Sequence, residues 1–194
     1  MTTVYVVRIF VNKDQEFGSE VGIVVDESKS LSSTRRLGIT KQLGLSETVF
    51  VNQLDPCDLS IYSQQGEIKF ASPLLGAVWF VEQQLGKLID CFTCQETKVK
   101  VIHEDGITWM VVSDLSIFPP WNIEQREKAE EIEALSIEDF SDQSHSLVWA
   151  WVDSSLRIGK VRARTFAPGW GIAEEEANGS GSMLLAHQLR RNLI

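Results

Sequence analysis

A chain of 194 residues with 43% hydrophobic content and a net charge of −9 can bury a core and can hold one large or two small domains. No apolar stretch is long enough to span a bilayer, so no membrane association is expected. The basic residues are scattered apart from Arg35-Arg36, the run over 157–164 and Arg190-Arg191, which disfavours nucleic-acid binding through a broad basic face. Met1-Thr2-Thr3 leads directly into a strand-like run without a basic leader or cleavage site, which points to the cytoplasm.

Residues 4–11 and 21–25 are apolar, β-branched runs joined by a polar, glycine-containing connection, which predicts two strands. Residues 30–43 read as a helix, capped by serines near its start and followed by Gly44. Short strands are predicted over 49–52, 58–62 and 67–70. Residues 73–85 form a helix with Pro73 in its first turn and Gly86 past its end. Its apolar residues cover most of the circumference, as expected of a buried helix wrapped by strands.

Cys57, Cys91 and Cys94 are an odd count, which argues against a disulfide framework. Cys91-x-x-Cys94 with Cys57 and His103 offers four zinc-type ligands, but 91–103 reads as strand after strand. Period two then points Cys91 and Cys94 to opposite faces, and no metal is expected. Residues 98–103 and 107–112 form a hairpin around Glu104-Asp105-Gly106. Residues 122–135 predict an acidic surface helix with Asn122 and Gln125 as a capping box. Strands over 144–152 and 160–166 precede a final helix over 180–192, where Arg190 and Arg191 suit the negative end of the dipole. Trp79, Trp109, Trp149 and Trp151 read as core residues, and Trp170 as a pocket wall.

The pattern is α+β, with a first lobe over 1–117, an acidic helical connection over 118–143 and a shortened second lobe over 144–194. Each lobe runs from strands through a loop of small residues into an apolar helix. The second stops after its helix, leaving Met183, Leu184, Leu185 and Leu189 without covering strands. A homodimer is therefore expected, unless the helix over 122–135 folds back across the same face.

The most informative stretch covers 164–182. A basic, β-branched run breaks at Pro168-Gly169, passes Trp170 and then Glu174-Glu175-Glu176, and enters Asn178-Gly179-Ser180-Gly181-Ser182 at the mouth of the last helix. First-turn amides of a helix have no internal partner and carry partial positive charge, and small residues let a carboxylate approach them. This entrance predicts a small-molecule site.

That stretch resembles the signature R-x-F-A-P-x-x-G-I-x-E-D-P-A-T-G-S-A of the PhzF-like (phenazine-biosynthesis-like) isomerase/epimerase family. Three upstream segments match in order. Residues 7–10 with 17–25 resemble the N-terminal strand and the G-N-P-A-G-V-V-L strand, Gly44 to Val51 resembles N-L-S-E-T-x-F-V, and Phe70 to Ala77 falls where the family reads G-H-P-T-L-G-A. The resemblance implies a diaminopimelate epimerase-like architecture, in which two similar lobes place two helix N-termini around a substrate carboxylate. No glycine-rich nucleotide fingerprint or metal cluster appears in the sequence, so no cofactor is expected.

By resemblance, the two entrances are Ser72, Leu74, Leu75 and Gly76, and Asn178, Gly179, Ser180 and Gly181. Glu47 matches the proton-transferring glutamate, and Glu175 stands for the family's aspartate. Ser72 replaces a histidine and does not titrate near neutrality. With Asn178 at the threonine position, racemisation by two thiols is excluded. Two functions remain open: an isomerase acting on a small carboxylic acid, or a catalytically degenerate small-acid binding or structural protein. For Glu47 the alternative is a surface carboxylate at a helix–strand junction. For the three glutamates it is charge that complements the helix dipole.

Overall fold

The computed structural model describes residues 2–12, 14, 16–140, 145–154, 159–175 and 178–192, without the side chains of 191 and 192. Ser144, Arg157 and Glu176 therefore lie outside the described residues, as does the side chain of Arg191. The chain divides into two compact units, Met1–Phe118 and Pro119–Ile194.

The first unit is one mixed sheet of β1 (Tyr5–Ile9), β2 (Ser19–Val25), β3 (Glu47–Gln53), β4 (Asp58–Ser63), β5 (Gly66–Ile68), β6 (Cys91–Cys94), β7 (Thr97–Glu104) and β8 (Ile107–Val111). The order is β1-β2-β3-β4-β6-β7-β8, with β5 paired to β4 alone. Helix α1 (Ser33–Leu43) is the crossover between the parallel strands β2 and β3, as a parallel pair requires. Helix α2 (Leu74–Leu85) contacts both edge strands, β1 and β8, so the sheet curls around it.

Local chemistry sets the helix ends. The Asp26 carboxylate accepts the N–H groups of Ser30 and Leu31 at 3.0 and 3.2 Å, which holds these residues out of α1. The helix begins three residues later than the sequence predicts, with Ser32 Oγ accepting from the Arg35 N–H at 3.3 Å. Gly44 ends it at φ +70°, in the left-handed region that glycine adopts without strain.

The curled sheet does not close over all of α2. Leu74, Ala77, Val78 and Val81 are core residues, but Trp79 is 47% exposed, and Trp109 on β8 is 49% exposed. Both differ from the core placement expected from sequence, because each lies on the side of its element that faces away from the sheet–helix interface. Of the four tryptophans read as core residues, Trp149 is buried and Trp151 is half-buried.

The cysteines differ in accessibility. Cys57 and Cys94 are buried, and burial pushes both thiols up to about 12, whereas Cys91 is half-buried. Reaction needs the thiolate. Titration with a disulfide reagent at pH 8 is expected to modify Cys91 alone in the native protein, and all three cysteines after unfolding. Rapid native labelling of Cys57 or Cys94 would contradict the packing of β4 against β6.

The second unit is a four-stranded sheet of β9 (Asn122–Gln125), β10 (Ser146–Asp153), β11 (Lys160–Ala167) and β12 (Ile172–Glu175), in the order β12-β11-β10-β9. Ile132 of α3 (Ala129–Glu133) and Phe140 pack on one face against Val148, Ala150 and Phe166. On the other face, α4 (Gly179–Asn192) presents Leu185 and Leu189 to Leu147 and Trp149.

The acidic helix expected over 122–135 is instead strand β9 followed by the short helix α3. Residues 122–125 pair in parallel with β10, and the N–H groups of Asn122 and Arg126 donate to the carbonyls of His145 and Trp149. Ile123 joins the Leu147–Trp149 cluster, so sheet pairing and burial override the local helical pattern. The first-turn cap lies further on, where the Lys128 N–H donates to the Glu131 carboxylate at 3.0 Å. Leu185 is buried and Leu189 half-buried against their own sheet, so the bare α4 face from which a homodimer was expected does not occur. Among the described residues, no helix is long and apolar enough to cross a membrane.

Candidate active-site groups of the two units

In the first unit, Glu47 opens the central strand β3, in register with Val21 on β2 and Ser63 on β4. It is 8% exposed, which removes the surface-carboxylate alternative. Register neighbours point to the same face of a sheet. Val21 lies directly under α2, because a Cβ on Gly76 would come within 2.9 Å of it, so Glu47 shares the α2 face.

The entrance of α2 is internally bonded. The N–H groups of Leu74, Leu75 and Gly76 donate to the carbonyls of Ala71, Ser72 and Pro73 at 3.3, 3.1 and 3.0 Å. Ser72 and Leu74 are buried, and Gly76 allows close packing on Ile9 and Val21. Leu75 is half-buried. A ligand approaching these amides competes with bonds already made.

The second unit gathers its candidates more tightly. Leu147, Thr165 and Glu175 stand in one row across β10, β11 and β12. Leu147 lies against Gly181 in the first turn of α4, so Glu175 faces α4. Asn178 caps the helix: its Oδ1 accepts from the Gly181 N–H at 2.5 Å and from Ser180 Oγ at 3.2 Å. Its Nδ2 donates to the Glu175 carboxylate at 2.5 Å. A Cβ on Gly181 would sit 2.8 Å from Asn178 Oδ1, so the cap needs glycine there. Burial pushes the Glu175 carboxyl above the ordinary range, while the Asn178 hydrogen bond acts in the opposite direction.

Glu174 points elsewhere. It accepts a bidentate pair from Arg164 at 2.6 and 2.7 Å, and Arg164 also donates to the carbonyls of Ile132 and Leu135. That pairing lowers its pKa, and its role is to hold the second unit together.

Trp170 ends a 3-10 turn over Pro168–Trp170 and lies on the ring of His145, edge-on to Trp121. His145 escaped the sequence reading, since one histidine ahead of an apolar strand carries no distinctive signal. Its Nδ1 faces the Pro120 carbonyl at 3.3 Å, while its Nε2 is buried without a partner among the described residues. Burial lowers its pKa. Among the described residues, no three His, Cys, Asp or Glu side chains are grouped to hold a metal ion.

No known family profile matches the sequence. Solved structures do. A phenazine biosynthesis protein of the PhzF family from Enterococcus faecalis superposes with a TM-score of 0.73 at 17% identity, covering 98% of this chain and 84% of that one. The fold is that of the PhzF family. A putative PhzC/PhzF protein from Clostridium difficile (strain 630) gives 0.68 at 16% identity over 93% and 78% of the two chains. A predicted epimerase from Pseudomonas aeruginosa gives 0.66 at 14% identity over 100% and 83%. The PhzF fold is α+β and diaminopimelate epimerase-like.

Proposed function

We propose that the chain is a PhzF-type isomerase or epimerase that works without a cofactor. In this reading Glu47 and Glu175 are each proton-transferring carboxyls, and the entrance of α4 binds the carboxylate of a small acid. One observation carries the reading. A carboxyl raised by burial, Glu175, is tied through Asn178 to the first-turn amide of an α-helix. A proton shuttle needs a carboxyl moved towards neutrality, and a helix N-terminus attracts the anion. The PhzF fold, the L-S-E-T motif and the burial of Glu47 support the same assignment.

The test is a panel of small acids incubated with the protein in D2O, with loss of the activated C–H signal followed by proton NMR. Exchange with at least one acid that also shifts the amides of 179–182 is expected. Acids that shift those amides with no exchange across the panel would defeat the enzyme. That outcome would leave the second reading, a degenerate binding protein, which the internally bonded α2 entrance and Ser72 favour.

A homodimer also belongs to this proposal, on a surface different from α4. Edge strand β8, paired with β7 alone among the described strands, exposes Ile107, Trp109 and Val111 at alternate positions as an apolar stripe. Pairing of two copies along that edge covers the stripe. Sedimentation at micromolar concentration is expected to show twice the 21.8 kDa chain mass, and Trp109→Lys a monomer. A native species of 21.8 kDa would defeat the dimer.

A further inference from the structure

A cavity of about 440 Å³ opens on the first unit, away from Glu47. The strand register places it. Val25, at the end of β2, lines the cavity and pairs with Val51, whereas Val21 pairs with Glu47. The two rows are four residues of strand apart, about 13 Å. The volume is that of a small-molecule site. The walls come from the start of β1, the segment 26–31 that leads to α1, and the second half of α2.

Among the described residues the lining holds one charged side chain, Asp26, and that carboxylate is already satisfied. Its Oδ1 accepts from the Ser30 N–H and hydroxyl at 3.0 and 3.1 Å, and its Oδ2 from Arg36 and the Leu31 N–H at 2.8 and 3.2 Å. Two bonds to each oxygen occupy its lone pairs. An anion entering the cavity would meet no cationic side chain in the wall, and a cation no free carboxylate. Either ion would give up its water without compensation, so the lining favours a neutral ligand.

One wall is aromatic. Tyr5 lies on Phe80, with ring centroids 4.7 Å apart and planes inclined by 41°. Phe80 is 6% exposed and Tyr5 44%, so the Tyr5 ring is the surface open to a ligand. The lining also carries the exposed hydroxyls of Thr3 and Ser28 and the exposed amide of Gln84. Each of these groups both donates and accepts hydrogen bonds, as the hydroxyls of a sugar do. We propose that the cavity binds a neutral sugar, with its C–H face on Tyr5 and its hydroxyls on Ser28 and Gln84. A nucleobase, flat on both faces, matches a single aromatic wall less well. The sugar site is independent of the proton-transfer reading.

The test titrates the nitrogen-15-labelled protein with the methyl glycosides of glucose, galactose and mannose at millimolar concentration. At least one is expected to shift the amides of 26–31 and the Gln84 side-chain amide, while those of 179–182 stay in place. The uronate and amino-sugar analogues of that glycoside should bind at least about tenfold more weakly, because each brings an unpaired charge into the cavity. Tyr5→Ala should weaken binding about tenfold and Gln84→Ala about threefold, whereas Tyr5→Phe should preserve it. If Tyr5→Ala fails to fold, Gln84→Ala at its exposed helix position and the charged analogues on the native protein still decide the matter. The sugar site is overturned if none of the three glycosides shifts these amides, or if the shifts fall on other residues alone. Binding that neither substitution weakens, or a charged analogue that binds as tightly as its parent, would also overturn it. Adenosine shifting these amides where no glycoside does would make the cavity a base site instead.

Discussion

Glu175→Gln is expected to slow proton exchange by about 10²- to 10⁴-fold, the usual contribution of a positioned acid or base. The substitution keeps the shape of the side chain and the acceptor that Asn178 Nδ2 bonds, while removing the titrating oxygen. Because burial disfavours the charged carboxylate, the neutral amide should leave stability unchanged or slightly raised. Acting as a base, Glu175 must be deprotonated. The native exchange rate should therefore rise with pH through a midpoint above the ordinary glutamate value. Deuterium exchange measured across pH 4–8 in both proteins checks this. A variant that exchanges at the native rate would remove Glu175 from the chemistry, while a variant that unfolds would show that the Asn178 cap depends on the charge.

Arg36→Met is expected to destabilise the protein by roughly 3–5 kcal/mol, because it strands a buried carboxylate. Arg36 on α1 bonds Asp26 at 2.8 Å and Ser60 Oγ at 2.7 Å, and the Asp26 side chain is 2% exposed. Burial alone would push the Asp26 carboxyl up. Hydrogen bonds from Arg36, Leu31 and Ser30 together outweigh burial and hold it below its ordinary value. A depressed carboxylate contributes stability above its unfolded pKa, and that contribution is lost as pH falls through the folded pKa. The gap between native and variant proteins should therefore be full at pH 7 and narrow below about pH 4. The double variant Asp26→Asn/Arg36→Met should recover much of the loss, since no charge is then left buried. Urea melts at pH 7 and pH 3 measure all three. A gap independent of pH would mean that Arg36 acts through its packing over Phe50 rather than through charge.

Features under local chemical control are legible in the order of the residues. Gly44 ends α1, and Gly86 ends α2, each with positive φ. Asp105-Gly106 turns the β7–β8 hairpin, again with two positive φ values. Asn178 with its following small residues marks the entrance of α4. These signals act within a few residues, so they can be read from a string of letters.

The remaining features depend on packing between segments distant in sequence. Residues 122–125 have a helical pattern and become a strand because β10, more than twenty residues later, offers a parallel edge and a pocket for Ile123. Glu47 looks like a junction residue and is buried because β2 and β4 flank it. Glu174 and Glu175 are adjacent and identical in type. The alternation of β12 turns one towards Arg164 and the other towards Asn178, lowering one pKa and raising the other. His145 is buried only when Trp121 and Trp170 pack on its ring and the Pro120 carbonyl meets its Nδ1. Burial and hydrogen-bond partners set the chemistry of these groups, and even a near partner such as Asn178 acts on a Glu175 carboxyl that only the packed chain buries.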